Sequence, residues 1–182
     1  MSNIKNINNK ILNCYKCKIA PNRGVGFGNI KSNIMFIAQN PGWQPEIKSK
    51  DIIPFALNTE KGKASGYWFR KLLNKCKLTN DDFYITNVIK CPTNKNRCPK
   101  EKEVENCFEH LQREIKLQVP KLIVLLGNSA KELFENKKNE ISKNIKIIYI
   151  YHPGFIRYNP HLFKRWAGNF KKQFKEFNNE RN

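Results

Sequence analysis

The chain has 182 residues, 40% of them apolar, enough for one domain built on a single buried core. Lys and Arg number 34 against 15 Asp and Glu, a formal charge of +19, which points to a polyanionic partner such as nucleic acid. No stretch is long and apolar enough to span a bilayer, and the opening Met1, Ser2, Asn3, Ile4, Lys5 lacks the apolar core of a secretory signal. The expectation is a cytoplasmic, monomeric protein with no membrane role.

Residues 1–10, rich in Asn, Lys and Ile, read as a polar lead-in to a domain that occupies the rest of residues 1–182. Cys14 and Cys17 follow in a C-x-x-C bite. The first apolar run, residues 34–38, ends in Gln39-Asn40-Pro41-Gly42. A helix is expected over 66–76, where Trp68, Phe69, Leu72 and Leu73 recur at helical spacing. The second run, residues 83–89, contains Thr86 and Asn87 and leads into Lys90-Cys91-Pro92. A longer helix over 100–118 aligns Val104, Cys107, Phe108, Leu111 and Ile115. The third run, residues 122–126, ends in Gly127-Asn128-Ser129. A helix over 128–136 follows, with Asn128 or Ser129 as its N-cap. The fourth run, residues 147–151, ends in His152-Pro153-Gly154, and a basic, aromatic helix is expected over 161–177.

Continuous β-branched or aromatic runs suit parallel strands buried on both faces. Alternation with helices predicts a three-layer α/β/α sandwich around a four-stranded, mainly parallel sheet. In such sheets, functional residues gather beyond the carboxyl ends of the strands. All four strand ends here carry polar or turn residues.

The six cysteines are Cys14, Cys17, Cys76, Cys91, Cys98 and Cys107. In a reducing compartment they read as metal ligands or buried thiols rather than disulfides. Cys91 and Cys107 are candidates to complete a four-thiolate set with Cys14 and Cys17. Cys98 is the rival fourth ligand, Cys76 a bystander, and a core thiol is the plain alternative for Cys107. Four thiolates suit either a [4Fe-4S] cluster or a structural zinc.

Taken together, Cys14-x-x-Cys17, Ala38-Gln39-Asn40-Pro41-Gly42, Ile85-Thr86-Asn87-Val88-Ile89-Lys90-Cys91, Cys107 and His152-Pro153 resemble the iron–sulphur (family 4) branch of the uracil-DNA glycosylase superfamily. The run from Pro120 to Gly127 is similar to that family's third strand. The resemblance implies that Cys14, Cys17, Cys91 and Cys107 hold a structural [4Fe-4S] cluster. It also implies a DNA-repair enzyme that hydrolyses the N-glycosidic bond of uracil, or of another deaminated base, in DNA.

The resemblance further implies roles for individual residues. Asn40 would orient the attacking water, and His152 would donate to the uracil oxygen that gains charge. Gln39, Gly42, Phe55 and Asn87 would bind the extruded base, Phe55 by stacking and Asn87 through its amide. Phe155 or Ile156 would fill the gap left in the DNA. Arg157, Ser129 and Lys131 would hold phosphates, with Lys164 and Arg165 weaker candidates. The chain departs from the family at Gln39-Asn40, where an acidic and a small residue are usual. Asn before Pro-Gly is similar instead to the mismatch-specific and single-strand-selective branches, as are Pro54-Phe55-Ala56 and the segment from Tyr67 to Leu73. Gly42 stands where some members carry a thymine-excluding Tyr, leaving that task to a residue such as Trp43. Either that task falls elsewhere or thymine exclusion is incomplete, so mismatched thymine, hydroxymethyluracil and hypoxanthine stay open as substrates beside uracil, and the rival to an enzyme is a superfamily member that grips DNA without excision.

Overall fold

The computed structural model describes residues 3–17, 19–20, 22–42, 51–57, 64–137, 139, 141 and 144–180. The segment read as a lead-in is in fact helix α1, Ile4–Leu12, capped by Asn3, whose side chain accepts from the Asn6 amide at 3.0 Å. Ile4, Ile7 and Ile11 lie at helical spacing, and Ile7 and Ile11 are buried against Val25. The Asn and Lys between them mask this stripe when composition alone is read.

Two short strands follow, β1 (Arg23–Gly24) and β2 (Phe27–Gly28). The four expected strands appear as β3 (Ile34–Ala38), β5 (Tyr84–Asn87), β6 (Leu122–Leu126) and β7 (Lys146–Ile150). A further pair, β4 (Asp51–Ile52) with β1, lies apart from the main sheet. The main sheet runs β2-β5-β3-β6-β7. Its four long members are parallel, and β2 adds a fifth, antiparallel edge that is too short to show a period in sequence.

Helix α2 (Ala64–Lys75) and the C-terminal α6 (Phe163–Asn179) cover one face of the sheet, while α3 (Glu101–Gln118) and α4 (Asn128–Glu135) cover the other. Alternate strand residues divide between the two cores, as the pleat requires. Phe36, Ile85, Val124 and Ile148 pack beneath α2 and α6, whereas Met35, Ile37, Tyr84, Ile123 and Leu125 pack beneath α3 and α4. One detail differs from expectation. The N-cap of α4 is Gly127, not Asn128 or Ser129, because a φ of 88° at this position favours glycine. The turn residues His152-Pro153-Gly154 at the end of the fourth run lead into a short helix, α5 (Pro153–Tyr158), started by Pro153.

Phe36 sits at the centre of one core, edge-on to Phe69 at 5.2 Å and to Phe83 at 5.4 Å, with Phe170 at 5.9 Å. Phe36→Ala would leave a cavity ringed by aromatic groups that cannot collapse into it. The expected loss is about 3–5 kcal/mol of unfolding free energy, read from the midpoint and slope of a urea transition.

Candidate active site

The crossover from β3 to β5 leaves the sheet in one direction and that from β6 to β7 in the other. A crevice opens where they diverge, at the carboxyl ends of β3 and β6. A cleft of about 470 Å³ lies there. It collects Gln39, Asn40, Pro41 and Gly42 after β3, Asn87 at the end of β5, Gly127 and Ser129 after β6, and His152 after β7. Asn40, Asn87 and His152, the first and last more than a hundred residues apart in the chain, therefore line one cavity.

Each polar group in the cleft is held differently. Gln39 Nε2 donates to Asn40 Oδ1 at 2.6 Å, and Asn40 Nδ2 donates to the Pro41 carbonyl at 2.7 Å. Both ends of the Asn40 amide are thus fixed, and its oxygen keeps a lone pair for a further donor. Asn87 is 2% exposed, and its Nδ2 has no hydrogen-bond partner among the described residues. A buried amide donor left unmatched costs free energy, so its place on the cleft wall marks it for a ligand acceptor.

His152 caps α5: its Nδ1 accepts from the Gly154 amide at 3.0 Å. That bond needs an unprotonated Nδ1, so the neutral ring carries its hydrogen on Nε2. Burial pushes the imidazole pKa down to about 4. Phe55 leans over the ring, with centroids 5.4 Å apart, and stacks on Phe69 at 5.0 Å. Phe55 has a φ of 54°, a conformation that costs a bulky residue energy and that its packing sustains.

The residues expected on DNA separate. Arg157 and Ser129 line the cleft. Phe155 is exposed beside Tyr151, with ring centroids 5.0 Å apart. Ile156 is fully buried in the core beneath α2 and α6 and cannot enter a DNA gap, which corrects its reading as a wedge. Helical phase decides between the neighbours, since α5 turns one residue outward and the next inward. Lys131 lines an adjoining cleft with Arg165 and lies over the Tyr149 ring at 4.8 Å. Trp43 lies outside the described residues.

A smaller cavity gathers Cys14, Cys17, Cys91 and Cys107. Cys98 is exposed and does not line it, and Cys76 packs against the core beneath α2 and α6. Burial, opposed by Arg23 at Cys91 and by Lys90 at Cys107 and reinforced by the neighbouring cysteines, raises the Cys91 thiol to about 12 and the Cys107 thiol to about 11. Without a cationic centre these groups stay protonated. Donors are already aimed at the sulphurs: the Lys90 amide to Cys107 Sγ at 3.1 Å and Asn106 Nδ2 to Cys17 Sγ at 3.5 Å. Arg23, 3% exposed, braces the C-x-x-C loop through bonds to the Cys14 carbonyl at 2.6 and 3.0 Å. Composition could not single out Arg23, because its role depends on burial. No three of the described His, Cys, Asp or Glu side chains close on a single ion-sized point.

The sequence model of the Uracil DNA glycosylase superfamily matches residues 25–180. A type-4 uracil-DNA glycosylase of Archaeoglobus fulgidus is 32% identical over 94% of this chain and 92% of its own length. The type-4 enzyme of Sulfurisphaera tokodaii is 32% identical over 94% of this chain and 84% of its own, and that of Thermotoga maritima is 30% identical over 84% and 82%. The parallel sheet, the crevice at its switch point and this likeness along nearly the whole chain lead to one assignment: the protein belongs to the uracil-DNA glycosylase superfamily.

Proposed function

We propose that this protein hydrolyses the bond between deoxyribose and uracil in DNA, leaving an abasic site. The observation that carries this reading is the unmatched Asn87 amide, buried in the same cleft as Asn40 and His152. A planar base with adjacent acceptor and donor groups satisfies it, and a base reaches that depth only when extruded from the stack.

Breaking the glycosidic bond builds positive charge on the sugar and negative charge on the departing ring. A neutral His152 answers the second demand by donating from Nε2 to the pyrimidine oxygen that gains charge. Fixing Nδ1 on Gly154 makes this donor available without a proton transfer. Asn40, held by Gln39 and Pro41, orients water toward the sugar carbon through the free lone pair of its Oδ1. An amide is a poor base, which suffices when the bond is nearly broken before water arrives. Phe55 stacks on the base, Gln39 and Gly42 complete the pocket wall, and Phe155 fills the vacated position in the duplex. Arg157 and Ser129 hold phosphates, with Lys131 gripping DNA farther out. A chain with a formal charge of +19 suits this partner.

We further propose that Cys14, Cys17, Cys91 and Cys107 hold a [4Fe-4S] cluster, whose contribution when bound is to tie the N-terminal loop, the segment after β5 and α3 together. Four cysteines lining one cavity supply the four thiolates that such a cluster takes, and the same set is open to zinc.

Incubation with a uracil-containing oligonucleotide should yield free uracil and an alkali-labile site. Asn40→Ala should lower the single-turnover rate by about a hundredfold or more while leaving DNA affinity unchanged. Tight binding of uracil-DNA with no abasic product would instead identify a binder without activity. Freshly purified protein should be brown, with broad visible absorbance that zinc cannot produce. Cys107→Ser should bleach it and lower the Tm, whereas Cys98→Ser should do neither.

The neutral His152 also sets a pH dependence. Its folded pKa, about 4, lies below the ordinary 6.5, so between these values the unfolded chain binds the extra proton. Stability therefore falls as pH drops through this window, by about 2 kcal/mol at pH 5 for this group alone. His110, also lowered to about 4 by burial, acts in the same direction. The drop in Tm between pH 7 and pH 5 should be smaller in His152→Asn than in the native protein. An equal drop would mean that His152 is not buried in its neutral form.

A further inference from the structure

Lys90 and Glu114 are 1% and 0% exposed, and they form an ion pair beneath the sheet on the side of α3. The Lys90 ammonium donates to the Glu114 carboxylate, to Thr86 Oγ1 at 2.6 Å and to the Asn87 carbonyl at 2.8 Å. Glu114 also accepts from the Tyr84 hydroxyl at 2.9 Å and the Thr86 hydroxyl at 3.0 Å. The three ammonium protons thus have three acceptors, and the carboxylate is satisfied by its neighbours.

Such a pair is a poor means of gaining stability, because apolar residues of similar volume usually do as well or better. An apolar pair cannot hold a carbonyl, however. The carbonyl held here belongs to Asn87, the residue whose side-chain amide waits unmatched in the cleft. By the alternation of a strand, Tyr84 and Thr86 face α3 while Asn87 faces the other way. The ion pair therefore grips the Asn87 backbone from the side away from the base. Two further bonds complete the clamp: the Val88 amide to the Ala38 carbonyl at 2.8 Å and the Ile89 amide to the Gln39 carbonyl at 3.1 Å. The Asn87 backbone is thus fixed relative to the loop that carries Asn40.

We propose that Lys90 and Glu114 are positioning residues for base recognition, locking the Asn87 backbone so that its amide meets the extruded base at a set height and angle. This rests on the glycosylase reading and assigns that reaction two residues that never touch the substrate.

The test is a double-mutant cycle on the intact protein. Lys90→Met with Glu114→Leu replaces the pair by apolar side chains and leaves no charge stranded. The double variant should keep a Tm close to the native value and bind single-stranded DNA as before, but lose roughly tenfold in kcat/KM for uracil release. In an Asn87→Ala background the same replacement should cause no further loss, since the group being positioned is gone. A smaller probe is Thr86→Val, which removes the hydroxyl bridging both charges and leaves the pair in place. It should cost about threefold, again only when Asn87 is present, and it decides the matter if the double variant does not fold. Native rates in these variants, or an equal loss with and without Asn87, would overturn the proposal and reduce the pair to a structural one. A native protein that releases no uracil at all would instead overturn the glycosylase reading itself.

Discussion

Five residues, 87–91, are fastened to every part of the molecule that matters for its chemistry. The Lys90 ammonium holds the Asn87 carbonyl, and the Lys90 amide reaches Cys107 Sγ at 3.1 Å. The Lys90 carbonyl accepts from the Gly24 amide at 2.6 Å, tying in the strand that begins with the loop-bracing Arg23. Val88 and Ile89 bond back to the loop after β3. One end of this segment lies in the cleft and the other in the cysteine cavity. With so many bonds on so few residues, neither end shifts without disturbing its neighbours.

That constraint gives the cysteine cavity a physical meaning. Burial raises the Cys91 and Cys107 thiols, so on the proposed reading a cluster binding there would have to deprotonate them, and its assembly would be coupled to the packing of this segment. The cleft is then built on a sheet end whose position depends on groups well outside it.

The opposite wall is set by backbone geometry. Gly127 turns the chain from β6 into α4 at a φ of 88°, and a Cβ there would lie 2.9 Å from the Cβ of His152. A side chain at Gly66 would run into the Phe55 carbonyl, so α2 approaches closely enough to keep Phe55 over His152. The cleft wall is therefore shaped by glycine and helix packing as much as by its polar residues.

Much of this was legible in the chain. Runs such as 34–38 and 122–126, apolar without alternation, can be satisfied only between two layers of helices, and so they announced a parallel sheet and the location of its functional end. The ordered motifs around Asn40, Asn87, His152 and the cysteines carried the family likeness, because polar, turn and thiol residues at fixed places after apolar runs stand out in a sequence. Other features were out of reach. Helix α1 was hidden by its Asn and Lys content, Ile156 lay one helical step from Phe155, and Lys90 looked like one more basic residue among 34. Local sequence specifies elements and their polarity because periodicity and turn chemistry act over a few residues. Which lysine is buried, which of two neighbours faces solvent, and which four of six cysteines share a cavity are decided only when distant segments pack, because burial is a property of the assembled fold.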